Sequence, residues 1–284
     1  MKIVVTGSSG FIGTKIVKKL RKLKHEVIEL DITNGIDITD WNQVIKINNF
    51  NVLIHLAAKT FVPDSYKFTQ KMYYLNIVGT LNALELCRIN NAKMIFASSY
   101  VYGKPNYLPI DENHPISAFN PYCQSKLLGE ILCKSYNKDF GVPVIIFRPF
   151  NIYGKGQDDN FLIPLIMKQI IKNGKILLKD SRPKRDFVYI DDVVNAYCKA
   201  VEYDKTEFEI FNIGSGISYS VKKISEMIAS NYDKDIKIEF SEERRQNEVM
   251  DTIADITKAN KILNWHPKVD LREGLFKLIS NTQL

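Results

Sequence analysis

Apolar residues along the chain gather in short β-branched runs, separated by longer stretches in which they recur every three or four positions. Residues 3–6, 27–30, 52–55, 94–97 and 144–147 are almost continuously apolar and of strand length. Between them, residues 12–23, 41–48, 66–90 and 121–140 carry the spacing of amphipathic helices. A strand that is apolar at successive positions has both faces covered, and alternation with helices is the mark of a parallel sheet. Residues 1–150 are therefore predicted to form a doubly wound α/β domain. After residue 150 the alternation loosens into helical patterns at 162–172, 192–201, 221–230 and 271–280, with short strands and polar turns between them. This predicts a smaller α/β lobe over 151–284, with residues 187–213 returning to the main sheet. No internal repeat or low-complexity linker interrupts the chain.

The 284 residues are 45% hydrophobic and 25% charged, which excludes a disordered, collagen-like or coiled-coil protein. A net charge of +7 favours anionic ligands, but without a patterned basic surface it does not point to nucleic acid. The densest basic stretch, residues 15–24, has helical spacing and reads as a solvated face. Cys87, Cys123, Cys133 and Cys198 form no CxxC pair and fall in helical segments, so neither a disulfide framework nor a zinc site is expected. The four histidines, His25, His55, His114 and His266, are too scattered for a metal site, and His55, ending an apolar strand, reads as structural. The chain opens on a strand rather than a signal-peptide pattern and has no apolar run of membrane-spanning length, so a cytoplasmic protein without a membrane partner is expected.

Candidate chemistry begins where the first strand meets Gly7-Ser8-Ser9-Gly10-Phe11-Ile12-Gly13 and then a helix. Glycines there allow a tight turn and close approach of a pyrophosphate, and the helix N-terminus offers unpaired N–H groups to it; an ordinary strand–helix loop is the plainer alternative. Asp31, after the second strand, is placed to accept from the hydroxyls of an adenosine ribose and to repel a 2′-phosphate, favouring NAD over NADP, although Asp-Ile-Thr-Asn also reads as a turn. In the second acidic turn, Asp37 to Asp40, Thr39 and Asp40 read as helix caps. Tyr122 and Lys126, four residues apart, share a helix face. A tyrosine of ordinary pKa, about 10, is a poor base at neutral pH unless a neighbouring positive charge stabilises its phenolate, and Lys126 is predicted to supply that charge. Ser98 follows the strand at 94–97, at the carboxyl edge where such sheets bind ligands.

Taken together, the glycine loop, His55-Leu56-Ala57-Ala58, Asn76-Ile77-Val78-Gly79-Thr80, the Ser98–Gly103 segment, Tyr122 with Lys126, and Arg148-Pro149-Phe150-Asn151-Ile152-Tyr153-Gly154 resemble the extended short-chain dehydrogenase/reductases, in their NAD-dependent nucleotide-sugar epimerase/dehydratase branch. Further segments match in order at Arg185–Asp192, Phe211–Gly214 and Arg245–Asp255, so the likeness spans nearly the whole chain. The resemblance implies a Rossmann domain holding NAD and a C-terminal lobe holding a UDP-, dTDP-, GDP- or CDP-linked sugar. It implies Ser98, Tyr122 and Lys126 as the catalytic triad. Ser98 is chosen by counting back from Tyr102 of the Val-Tyr-Gly segment, with Ser99 as its rival. Gly7, Gly10, Phe11, Ile12 and Gly13 would hold the pyrophosphate, Asp31 the ribose, Asp37 and Ile38 the adenine, and Leu56, Ala57, Ala58 and Asn76 the rest of the cofactor. Ser99, Tyr100, Asn151, Arg185, Arg245 and Glu248 would contact the substrate. For Arg185 the structural alternative is an ion pair with Asp186.

The implied reaction oxidises the sugar at C4. Dehydratases of this branch carry an acid/base pair directly after the catalytic hydroxyl; Ser99 and Tyr100 stand there instead, which disfavours that outcome. The epimerases that invert C3 and C5 use further titratable side chains that this segment also lacks. A 4-epimerase that recycles bound NAD is the first expectation. A 4-ketoreductase that consumes NAD(P)H is the second, and a catalytically silent dinucleotide sensor is the alternative from another class. The short stretch between Asp31 and Asp37 departs from UDP-galactose 4-epimerases and leaves the sugar open, a small 6-deoxy or N-acetyl sugar of surface-polysaccharide synthesis included. Relatives commonly dimerise through two long helices, here 66–90 and 121–140, so a homodimer is expected.

Overall fold

The computed structural model describes residues 1–204, 208–232, 235–244 and 248–280. Its strands are β1 (Lys2–Thr6), β2 (Glu26–Leu30), β3 (Val52–His55), β4 (Lys93–Ala97), β5 (Val144–Pro149), β6 (Asn151–Tyr153), β7 (Lys175–Leu178), β8 (Lys184–Tyr189), β9 (Phe208–Ile213), β10 (Ser218–Ser220) and β11 (Lys237–Phe240). The helices are α1 (Phe11–Lys22), α2 (Trp41–Val44), α3 (Val62–Lys67), α4 (Thr69–Tyr73), α5 (Gly79–Ile89), α6 (Pro121–Phe140), α7 (Leu162–Asn173), α8 (Ile190–Glu202), α9 (Val221–Ala229), α10 (Thr257–Leu263) and α11 (Leu271–Ser280).

Six parallel strands in the order β2-β1-β3-β4-β5-β9 make the main sheet, a Rossmann-like arrangement. Its two-sided burial accounts for the continuous apolar runs. Ile3 and Val5, Ile95 and Ala97, and Ile145 and Phe147 face one core with α1 and α8, while Val4, Met94, Phe96, Val144 and Ile146 face a second core with α5 and α6.

Three boundaries differ from the sequence expectation. The return to the main sheet begins at Ile190: β8 pairs with β6 and β10 in a separate three-stranded sheet, and only α8 and β9 rejoin the large one. The second predicted helix ends at Val44. The long helix expected over 66–90 is broken into α3, α4, a π-helical turn at Tyr74–Val78 and α5. Such π turns widen a helix locally and cluster at functional sites.

Candidate active site

The glycine loop is shaped by close backbone packing. Gly7 adopts φ 67°, and a Cβ there would lie 2.7 Å from the Ala57 nitrogen; a Cβ on Gly13 would lie 2.2 Å from the Gly7 oxygen. Both positions exclude any side chain, and together they press α1 against the ends of β1 and β3. Gly10 is the N-cap of α1 and no side chain caps that helix, nor does an acidic residue sit in its first turn. The donors of a 12-residue helix thus point out of a loop that only glycine can form, a cradle that fits a dinucleotide pyrophosphate.

Asp31 lies against the same loop. Its Oδ1 accepts from the Thr33 N–H (2.9 Å) and hydroxyl (2.8 Å), and its Oδ2 accepts from the Ser9 N–H at 3.1 Å. Partial burial raises the pKa of this carboxyl, but the Thr33 and Ser9 bonds outweigh it and the group sits below its ordinary value. Asp31 thus caps a 3-10 turn and is held against the glycine loop through Ser9. Asp37 accepts from Thr39, Asp40 caps α2, and buried Ile38 offers its carbonyl to Asn82 (2.8 Å). Leu56 and Ala57 donate their N–H groups to the Thr6 hydroxyl at 3.2 and 3.1 Å. Asn76, inside the π turn, accepts from the Lys59 N–H and donates to the Lys59 carbonyl and to the Ser125 hydroxyl (2.8 Å). It ties the loop after β3 to α6 one residue before Lys126.

His55 is structural. Its Nδ1 meets the Thr6 hydroxyl at 2.8 Å and its Nε2 the Thr80 hydroxyl at 3.3 Å, and burial, aided by the Lys126 ammonium, pushes its pKa down to about 3. The sign follows from proton counting. Below about pH 6.5 the unfolded chain takes up a proton that the folded chain refuses until about pH 3, so stability falls as pH falls through that window, by about 1.4 kcal/mol per unit from this group. His55→Asn is expected to flatten the pH dependence of urea unfolding between about pH 6 and pH 4, where wild type carries the extra slope.

At the carboxyl ends of β4 and β5 the catalytic candidates meet α6, whose N-terminus is capped by Asn120 and opened by Pro121. The Ser98 hydroxyl donates to Glu130 Oε1, deep in the protein. Ser99 lies close enough to the Tyr122 phenol to hold its pKa down.

The electrostatics differ from the sequence expectation. Burial pushes the Tyr122 phenol up to about 12, with the Ser99 bond pulling the other way and Cys123 adding a small rise. Lys126 is buried, and its Nζ donates to the Ala97 carbonyl at 2.8 Å and sits 5.0 Å from the centre of the Phe96 ring; burial lowers its pKa to about 8. Burial, rather than the ammonium, governs the phenol.

On the smaller lobe, Arg185 donates to Glu248 and to the Val249 carbonyl (2.6 Å), so its ion-pair partner is Glu248. Asp186 turns inward and accepts from Ser215, Gly216 and Ala254. Asn151 donates to the Asp186 carbonyl at 3.0 Å, which sets it beside β8. Tyr100 lies near Arg185, packs edge-on against Phe150 at 5.4 Å, and gives its hydroxyl to the Gly103 carbonyl; burial raises its pKa. Arg245 lies outside the described residues.

Two functional candidates escaped the sequence reading. Glu130 and Arg148 form a buried bidentate pair, 2.9 and 2.6 Å, directly behind Ser98. The signal was present: Tyr122, Lys126 and Glu130 repeat at four-residue spacing, which puts two charges on the sheet-facing side of one helix. Among the described residues no cluster of metal-ligating side chains occurs, no helix is long and apolar enough to cross a membrane, and all four cysteines are buried free thiols.

Comparison with known proteins agrees with this geometry. A model of the NAD dependent epimerase/dehydratase family matches residues 3–214. A putative UDP-glucose 4-epimerase of Methanocaldococcus jannaschii is 37% identical, over 98% of this chain and 97% of its own. A dTDP-4-dehydro-6-deoxyglucose reductase of Escherichia coli is 29% identical over 98% and 96%. The solved UDP-glucose 4-epimerase of Thermotoga maritima, with UDP-glucose, superposes with a TM-score of 0.91 at 28% identity, covering 100% of this chain and 99% of that one.

Proposed function

We propose, for a chain that belongs to the NAD dependent epimerase/dehydratase family, that it is a nucleotide-sugar 4-epimerase working by transient oxidation at sugar C4. The observation that carries this reading is a glycine cradle at the carboxyl end of β1 together with Tyr122 and Lys126 on α6, Lys126 being held by the Ala97 carbonyl at the end of β4. NAD, which Gly7, Gly10, Gly13 and Asp31 would hold, would supply reversible hydride transfer and the positive charge of its oxidised nicotinamide.

Tyr122, as phenolate, takes the proton of the C4 hydroxyl and gives it back on reduction. Ser98, with Ser99 as its rival, hydrogen-bonds the reacting oxygen. Lys126 would bind the nicotinamide ribose and add its charge beside the phenolate, against the burial that raises Tyr122. Asn151, Arg185, Glu248 and Arg245 grip the nucleoside diphosphate, with arginine forks suited to phosphate oxygens. Dehydration stays disfavoured because Tyr100, in the acid/base position, has a raised pKa and spends its hydroxyl on Gly103.

The similarity to the Escherichia coli reductase supports the second reading, a 4-ketoreductase. The purified protein separates the two. Epimerisation is expected to interconvert UDP-glucose and UDP-galactose, or their N-acetyl counterparts, using co-purified NAD and without net NADH consumption. Turnover that occurs only with stoichiometric NADH or NADPH and a 4-keto sugar would overturn epimerisation in favour of reduction, and NAD binding without any turnover would leave the sensor.

A second copy of this chain fits the α5–α6 face. Tyr74 and Leu81 on one helix pair, and Leu128 and Ile131 on the other, stand 38–56% exposed at helical spacing, a pair of stripes suited to a four-helix interface. Sedimentation is expected to give twice the mass of one chain, shifting to one chain's mass in Ile131→Glu; a wild-type monomer at micromolar concentration rules the interface out.

A further inference from the structure

After β9 the chain crosses from the main sheet to the small one, where β10 pairs with β8 and Ser218 stands opposite Asp186. Asp186 is fully buried and fastens this crossing. Its Oδ1 accepts from the Ser215 N–H (2.6 Å) and hydroxyl (2.7 Å), and its Oδ2 accepts from the Gly216 N–H (2.9 Å). Oδ2 also accepts from the Ala254 N–H at 3.1 Å, on the segment 248–255 that returns after β11. The joint is close-packed: a Cβ on Gly214 would lie 2.5 Å from the Ala254 Cβ and 2.8 Å from Asp186 Oδ2. The returning segment is stitched along β8 at its other end as well. The Lys184 N–H donates to the Met250 carbonyl at 2.8 Å, and Arg185 donates to the Val249 carbonyl and to Glu248. One carboxylate thus joins β8, the crossing turn and the segment that carries Glu248.

An ionised carboxylate only accepts, so it can meet four donors at once, which an amide of the same shape cannot. Three of the four donors are main-chain N–H groups, so the side chain fixes the path of the backbone itself. Alternation along β8 turns Arg185 to the opposite face, where it is partly exposed beside Glu248. We infer that Asp186 is a positioning residue for nucleoside diphosphate recognition: it ties the crossing turn and segment 248–255 to β8, and so holds Arg185 and Glu248 in register to grip the ligand. This rests on the assignment of Arg185 and Glu248 to the nucleoside diphosphate made above. The backbone of the same residue holds a third member of the grip, since Asn151 donates to the Asp186 carbonyl at 3.0 Å. Released from Asp186, segment 248–255 leans away from β8 and Glu248 parts from Arg185. The loss falls on affinity for the diphosphate and leaves the cofactor cradle untouched.

Calorimetric titration of the full-length protein with UDP, dTDP, GDP and CDP selects the diphosphate that wild type binds best, and that probe serves for every variant. Asp186→Asn sets an amide N–H against main-chain donors and is expected to weaken its Kd about tenfold or more, with NAD affinity unchanged. Ser215→Ala removes one of the four bonds and keeps the backbone donors, and is expected to weaken the Kd by about two- to fivefold. A positioning residue acts only through what it positions. On top of Arg185→Ala, which removes the grip, Asp186→Asn is therefore expected to add less than about twofold. Wild-type affinity in Asp186→Asn, or its full loss repeated in the Arg185→Ala background, overturns the inference. If Asp186→Asn does not fold, Ser215→Ala decides in its place, alone and on Arg185→Ala, and unchanged affinity there overturns the inference. Loss of affinity in Arg185→Ala with none in the Asp186 and Ser215 variants refutes the positioning alone, whereas wild-type affinity in Arg185→Ala refutes the grip and the positioning with it. Diphosphate binding without turnover of a nucleotide sugar removes only the epimerase reading.

Discussion

Tyr122→Phe is expected to lower kcat by about a hundred- to ten-thousandfold while leaving NAD affinity and the unfolding midpoint close to wild type. The ring is retained in its buried site, so the packing that α6 contributes is kept, and what disappears is the one group able to exchange a proton with the sugar hydroxyl. Loss of the Ser99 contact costs about 1 kcal/mol of stability at most. Steady-state turnover of the nucleotide sugar, NAD titration and thermal unfolding separate these effects. Near-normal kcat in the variant would remove Tyr122 from the chemistry and with it the proposed reaction.

Gly13→Ala is expected to abolish measurable NAD binding and to destabilise the fold by about 1–3 kcal/mol. The added methyl carbon would stand 2.2 Å from the Gly7 oxygen and 2.8 Å from the Ser8 Cα and oxygen, all backbone atoms, so no side chain can turn aside to admit it. The helix must move off the loop, and the donors at its N-terminus move with it. Gly174→Ala is the control: its φ is 65° but nothing lies within 4 Å of its Cβ, so it carries only the backbone cost of about 1 kcal/mol and leaves the cofactor site alone. Calorimetric NAD titration and thermal unfolding of both variants check the contrast, and NAD affinity in Gly13→Ala equal to that of the control would refute it.

Much of the cofactor half is legible in the sequence because its strands are buried on both faces, which forces the continuous apolar runs at β1, β3, β4 and β5. The glycine spacing, Asp31 and the Tyr122–Lys126 pair are legible because each depends on neighbours close in sequence. What stays hidden depends on partners far along the chain. The π turn at Tyr74–Val78 has the same apolar spacing as an ordinary helix, and only the Asn76 contacts with Lys59 and Ser125 reveal its purpose. Arg185 sits beside Asp186 in sequence and pairs with Glu248 instead, since alternate residues of β8 point to opposite faces.

The order of the main sheet has a consequence for how the protein holds together. Its edge strand β9 and the covering helix α8 come from chain that has already passed through β6, β7 and β8 of the other lobe, and the backbone then leaves again for β10. No single cut near residue 150 yields two self-sufficient pieces: the first would be left with a naked β5 edge and a sheet face covered by α1 but without α8. The lobes are laced into one cooperative unit whose strands cannot be inherited separately.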